Sequence, residues 1–199
     1  MQIFNPNSRT KDLNYYRQVG TARFNRWYFG GVQDSTALSS TTPVANTMYA
    51  MPFFNLSERT INNIAFNVTG LGVLSNCRCG IYDNVSDIDL YPNNLIVDGG
   101  GFATTAATGV KNTAVDIKLS ANTLYWFVVL ANGTSVAPVR GVLIPGSYPI
   151  FGTDSALATT QGVGVKVAQT YGALPSTFTA GGTVITAIPC PVMAVSFSG

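Results

Sequence analysis

The chain has 199 residues, of which 46% are hydrophobic, 11% aromatic and only 10% charged, with a formal net charge of +2. This size predicts a single domain whose core needs no disulfide scaffold or structural metal, under a neutral, hydroxyl-rich surface suited to contact with other protein. Histidine is absent, which excludes a Ser-His-Asp or Cys-His triad, a histidine-bearing zinc site and a histidine general base within this chain.

Residues 1–26 are predicted to form an extended N-terminal docking arm. They open on Asn5-Pro6-Asn7-Ser8, show little hydrophobic periodicity, and lack the apolar stretch after a basic start that marks a secretory signal. Charge is concentrated there: five basic residues against Asp12 give residues 1–28 a net +4, while the remainder, with six basic and eight acidic residues, carries −2. Arg9, Lys11, Tyr15, Tyr16, Arg17, Arg23, Arg26 and Trp27 are the predicted partner-docking residues, because Arg, Tyr and Trp are the preferred anchors of protein interfaces. Cations interleaved with aromatics also meet the superficial recipe for nucleic-acid binding, but so small a positive charge ahead of an acidic domain disfavours it.

From Trp27 the pattern changes to short apolar or alternating runs punctuated by Gly, Asn, Asp, Ser and Pro, which is the rhythm of an all-β domain over residues 27–199. Strands are predicted at 25–29, 47–53, 60–69, 77–83, 94–97, 101–105, 113–118, 124–131, 139–143, 164–168 and 191–197, with helix confined to a turn or two. Period-two alternation points Ile64, Phe66 and Val68 inward, and Cys77, Cys79 and Ile81 likewise, with Arg78 and Tyr82 on the opposite face. Same-face Cα atoms two residues apart lie about 6.6–6.8 Å apart, near the limit for a disulfide, so Cys77 and Cys79 are expected as free buried thiols. Leu124–Ala131 is apolar on both faces and predicts a central strand covered on both sides, with a neighbouring subunit as one candidate cover. No apolar run is long enough to span a bilayer, so no membrane insertion is expected.

Candidate chemistry is sparse. Asp83-Asn84-Val85-Ser86-Asp87-Ile88-Asp89 places oxygen ligands at alternate positions, but it lacks the Gly and terminal Glu of an EF-hand loop and reads as a solvated turn. Asp98-Gly99-Gly100-Gly101 has no following Lys-Ser/Thr and reads as a bulge or turn rather than a phosphate cradle. Glu58 is the only glutamate and the Asp residues sit mostly in turn-like sequence, so no positioned acid–base pair, metal site or cofactor is expected. Tyr82, Tyr91, Trp126 and Tyr148 could stack on sugars, although the apolar neighbours of Trp126 favour a core position.

The motifs Arg78-Cys79-Gly80-Ile81-Tyr82-Asp83, Leu95-Ile96-Val97-Asp98-Gly99-Gly100, Thr108-Gly109-Val110-Lys111 and Leu119-Ser120-Ala121-Asn122-Thr123-Leu124-Tyr125-Trp126 follow one another in an order that resembles a family of bacteriophage virion proteins. These are tail-fibre, appendage and capsid-associated proteins with a jelly-roll-like β-sandwich. The resemblance spans roughly residues 47–131 and departs at Asn122-Thr123, in place of a Gly-containing turn, and at Cys79, in place of an aliphatic residue. It implies a jelly-roll-like antiparallel β-sandwich and a non-enzymatic structural role in a virion assembled in the host cytoplasm. A tail-fibre or appendage protein displaying the sandwich for host attachment is the first expectation, and a capsid cement (decoration) protein bridging coat subunits is the alternative. The implied partners are other virion proteins, further copies of the chain as a homotrimer, and a host-surface glycan.

Overall fold

Short segments of alternating polarity build thirteen β-strands and no helix among the residues that the structure, a computed structural model, describes: 26–30, 38–86, 89–142, 151, 162–186 and 189–198. Two sheets face one another. One runs in the order β2 (Leu38–Thr41), β9 (Val139–Val142), β4 (Arg59–Val68), β7 (Gly109–Leu119). The other runs β3 (Thr47–Asn55), β8 (Thr123–Asn132), β5 (Asn76–Asn84), β6 (Pro92–Ala103). Every pairing is antiparallel, and from β2 to β9 each connection crosses between sheets except the β5–β6 hairpin, which is the connectivity of a jelly roll. The protein is therefore all-β, as its rhythm predicts, and its two sheets form the antiparallel β-sandwich that the resemblance implies.

The C-terminal stretch modifies this plan. β12 (Cys190–Pro191) pairs with β9 and β13 (Ala194–Phe197) pairs with β4, so this stretch is wedged where β9 and β4 diverge, leaving them in register only at Val68 and Val139. β1 (Tyr28–Phe29) lies along β13, while β10 (Val165–Ala168) and β11 (Thr183–Val184) extend the second sheet beyond β3. Two predicted strands, 94–97 and 101–105, are one strand. β6 runs through the glycines with an extra residue where Arg78 and Gly80 pair with Gly101 and Asp98, and Gly100, at φ +79°, makes the bulge. A Cβ at Gly99 would stand 2.4 Å from Ile64 Cδ1 of the facing sheet, so the bulge also needs a residue without a side chain. The turn before β8 uses Asn122 at φ +53°, the left-handed conformation that Asn tolerates in place of Gly.

Between the sheets, Ile61, Ile64, Phe66, Val68 and Val195 meet Cys77, Cys79, Ile81, Phe127 and Val129, all essentially inaccessible to solvent. Phe53 stacks on Phe127 with ring centres 4.5 Å apart. Ile61 joins Ile64 on the inner face despite the odd spacing. Adjacent Ser196 and Phe197 of β13 pair with Asn63 and Ile61, so β4 carries Asn62 as an extra residue and its phase shifts there.

The opposite face of β8 is also closed, but by the chain itself rather than by a neighbouring subunit. Met48, Tyr82, Trp126, Val128 and Leu130, with Val165 of the same sheet, pack under Leu174 and Phe178, with Phe151, Tyr91 and Leu95 at the margin. Trp126 fills this outer layer, not the space between the sheets. The cover, residues 169–182, is irregular, so its backbone polar groups need partners. Tyr82 Oη donates to Pro175 O (2.7 Å), Tyr91 Oη donates to Thr179 O (2.8 Å) and accepts from Gly182 N–H, and Asp98 accepts from Leu174 N–H (3.0 Å). Its segment 176–178 hydrogen-bonds Asn93 and Leu95, capping the margin of β6.

Candidate functional site

Of the predicted docking residues, Arg9, Lys11, Tyr15, Tyr16, Arg17 and Arg23 lie outside the described residues. Arg26 and Trp27 are exposed and lead directly into β1. Tyr28 then sets its ring 5.4 Å from that of Phe197, and the Arg59 guanidinium lies 5.2 Å from the centre of the same Phe197 ring. β1 is thus fixed to β13 by strand pairing and aromatic contact, with Arg26 and Trp27 exposed just before it.

The remaining sequence candidates are engaged structurally. Asp83 accepts from Asn94 N–H (2.6 Å), and Asn84 Oδ1 accepts from Trp126 Nε1–H (2.9 Å) while its amide donates to Asp89 O, so these groups brace the turn. Asp98 pairs with Arg78 at 2.5 Å and accepts from Gly100 N–H, in addition to Leu174 N–H. Tyr82 and Trp126 are fully buried, so neither can stack on a sugar; Tyr91 is committed to the cover, and Tyr148 lies outside the described residues. Cys77, Cys79 and Cys190 are free and buried. Burial pushes the thiols of Cys77 and Cys79 up to about 12 and raises that of Cys190, which keeps all three protonated and unreactive at neutral pH.

A cleft that no sequence motif marks opens on one seam of the sandwich, where β2 and β12 of one sheet approach β3 and β10 of the other. Its volume is about 220 Å³, and Thr41, Thr42, Tyr49, Lys166, Ile185, Pro189 and Pro191 line it. Lys166 is the cross-strand partner of Tyr49, so the two side chains share a face, and Tyr49 belongs to the apolar cluster between the sheets. The ammonium is therefore carried at the mouth of the inter-sheet space. The ion pairs among the described residues are Arg78–Asp98 and Lys118–Glu58, and Lys166 enters neither. Thr41 Oγ1 donates to Pro189 O (2.8 Å), leaving its lone pairs open. Tyr49 Oη accepts from Val44 N–H (3.1 Å) and keeps its own proton; burial raises its pKa, against the opposing pull of that hydrogen bond. These seven residues are spread from position 41 to position 191, so only the fold brings them together.

A second exposed feature lies at one end of the sandwich. Leu71, Val73 and Leu74 are 53%, 58% and 73% exposed, and Leu74 is held at φ +50°. Beneath them Ser75 Oγ accepts from Thr104 Oγ1–H and Ala137 N–H, tying three loops together.

No family model and no curated protein matches this chain. Among the described residues, no helix is long and apolar enough to cross a membrane.

Proposed function

We propose that the protein is a non-enzymatic structural component of a bacteriophage virion, a tail-fibre or appendage protein that docks on the particle by its N-terminal arm and displays the β-sandwich for host attachment. The observation that carries this reading is where the four motifs of the resemblance fall. They occupy β5, the bulged β6, the turn entering β7 and the turn from β7 into β8, which are consecutive parts of one jelly roll. The exposed Arg26 and Trp27 just before β1 support a docking role, since such residues anchor interfaces. Assembly takes place in the host cytoplasm, and the resemblance suggests a homotrimer.

The exposed Leu71, Val73 and Leu74 on a braced loop favour a second reading, a capsid cement protein bridging coat subunits. Quantitative mass spectrometry of purified particles separates the two. Tens of copies or fewer support the fibre, hundreds support the cement, and absence from particles overturns both. Deleting residues 1–24 should leave a sandwich that melts as before but no longer enters the particle; unchanged incorporation removes the docking role of the arm.

A further inference from the structure

We propose that the seam cleft binds an acidic monosaccharide, with Lys166 opposite the sugar carboxylate and the hydroxyls of Thr42 and Tyr49 as hydrogen-bond donors. A lysine held beside an inter-sheet apolar cluster, without a carboxylate partner among the described residues, is a standing site for an anion. The charge count selects the anion. One ammonium and neutral hydroxyls match a singly charged carboxylate, whereas a phosphate calls for a second cation, and Lys166 is the one cationic side chain among the described residues lining the cleft.

The walls select the rest of the ligand. Pro189, Pro191 and Ile185 offer an apolar surface to the C–H face of a pyranose ring, while Thr41 Oγ1, already donating to Pro189 O, can accept from a sugar hydroxyl. At about 220 Å³ the cleft is smaller than the roughly 300–1,000 Å³ of sites for drug-sized ligands, which suits one ring rather than an oligosaccharide. Tyr82, Tyr91 and Trp126 are committed to the outer layer and its cover, so among the described residues recognition rests on charge and hydroxyls.

The biological meaning of this site rests on the attachment reading above, but binding to the purified full chain can be measured whatever the protein's place in a particle. The probes are glucuronate and N-acetylneuraminate, compared with glucose and acetate, by saturation-transfer NMR and titration. At least one acidic sugar should bind, with glucose and acetate weaker by about tenfold or more. Lys166→Met should weaken that binding by about tenfold or more, and Thr42→Val by about threefold. Lys166→Arg, which keeps the charge, should stay within about threefold and reports on folding through its melting temperature. The proposal is overturned if neither acidic sugar binds, if glucose or acetate binds as tightly, or if Lys166→Met binds undiminished. Failure here leaves the particle copy number, and with it the attachment reading, to stand on its own.

Discussion

The two faces of β8 bury side chains of similar size by different means. Inward, Tyr125, Phe127, Val129 and Ala131 meet a second sheet whose backbone is satisfied by its own ladders, so the contact is almost wholly apolar. Outward, Trp126, Val128 and Leu130 lie beneath a stretch without regular pairing, and the tyrosine hydroxyls and Asp98 supply the hydrogen bonds that a ladder would otherwise provide. A sheet can be covered by another sheet with hydrocarbon alone. An irregular cover needs polar side chains reaching out of the sheet beneath it.

The strongest probe of this contrast is a matched pair on adjacent positions. Phe127→Ala and Trp126→Ala should each cost about 4 kcal/mol, with both shifting one cooperative urea transition. A separate early step confined to Trp126→Ala would show that the outer layer folds independently. Leu174→Ala, on the cover itself, should cost about 3 kcal/mol and accelerate amide exchange across 169–182 more than in β4.

Alkali should strike chiefly from the inner side. The Cys77 and Cys79 thiols are raised from 9.0 to about 12 by burial, so above pH 9 the unfolded chain loses protons that the folded chain retains, and stability falls as pH rises toward 12. At pH 10 each thiol withdraws about 1.4 kcal/mol relative to neutral pH, and burial of Cys190 acts in the same direction. A Cys77→Ala/Cys79→Ala variant should show a shallower decline of melting temperature between pH 8 and 10. Tyr82→Phe, which leaves Pro175 O without its donor, should cost about 1 kcal/mol and loosen the cover alone. Glu58→Gln, in an ion pair whose partners are both mostly exposed, should change stability by less than about 0.5 kcal/mol.

How much of this was legible follows from the same contrast. Period-two alternation marked Ile64, Phe66, Cys77, Cys79 and Ile81 because each strand carries its own record of which face is buried. The doubly apolar run at β8 correctly announced two covers. It could not say that the second would come from residues some forty positions later, since Leu174 and Phe178 sit in a Gly-, Pro- and Thr-rich stretch without periodicity. The strands Leu38–Thr41 and Thr183–Val184 were missed for a related reason: they are short, polar and defined only by their partners. Alternation places Lys166 in a strand, but its position beside Thr42 and Pro189 depends on contacts between opposite sheets.

The margins of the two sheets have a consequence for how this protein behaves in company. β2 and β11 are only four and two residues long, β6 is capped by 176–178, and β7 is bulged and carries Lys111, Asp116 and Lys118. Each of these is a known obstacle to strand addition. Among the described residues, these margins hinder neighbouring molecules from adding strand to strand into amyloid-like ribbons when they are crowded side by side.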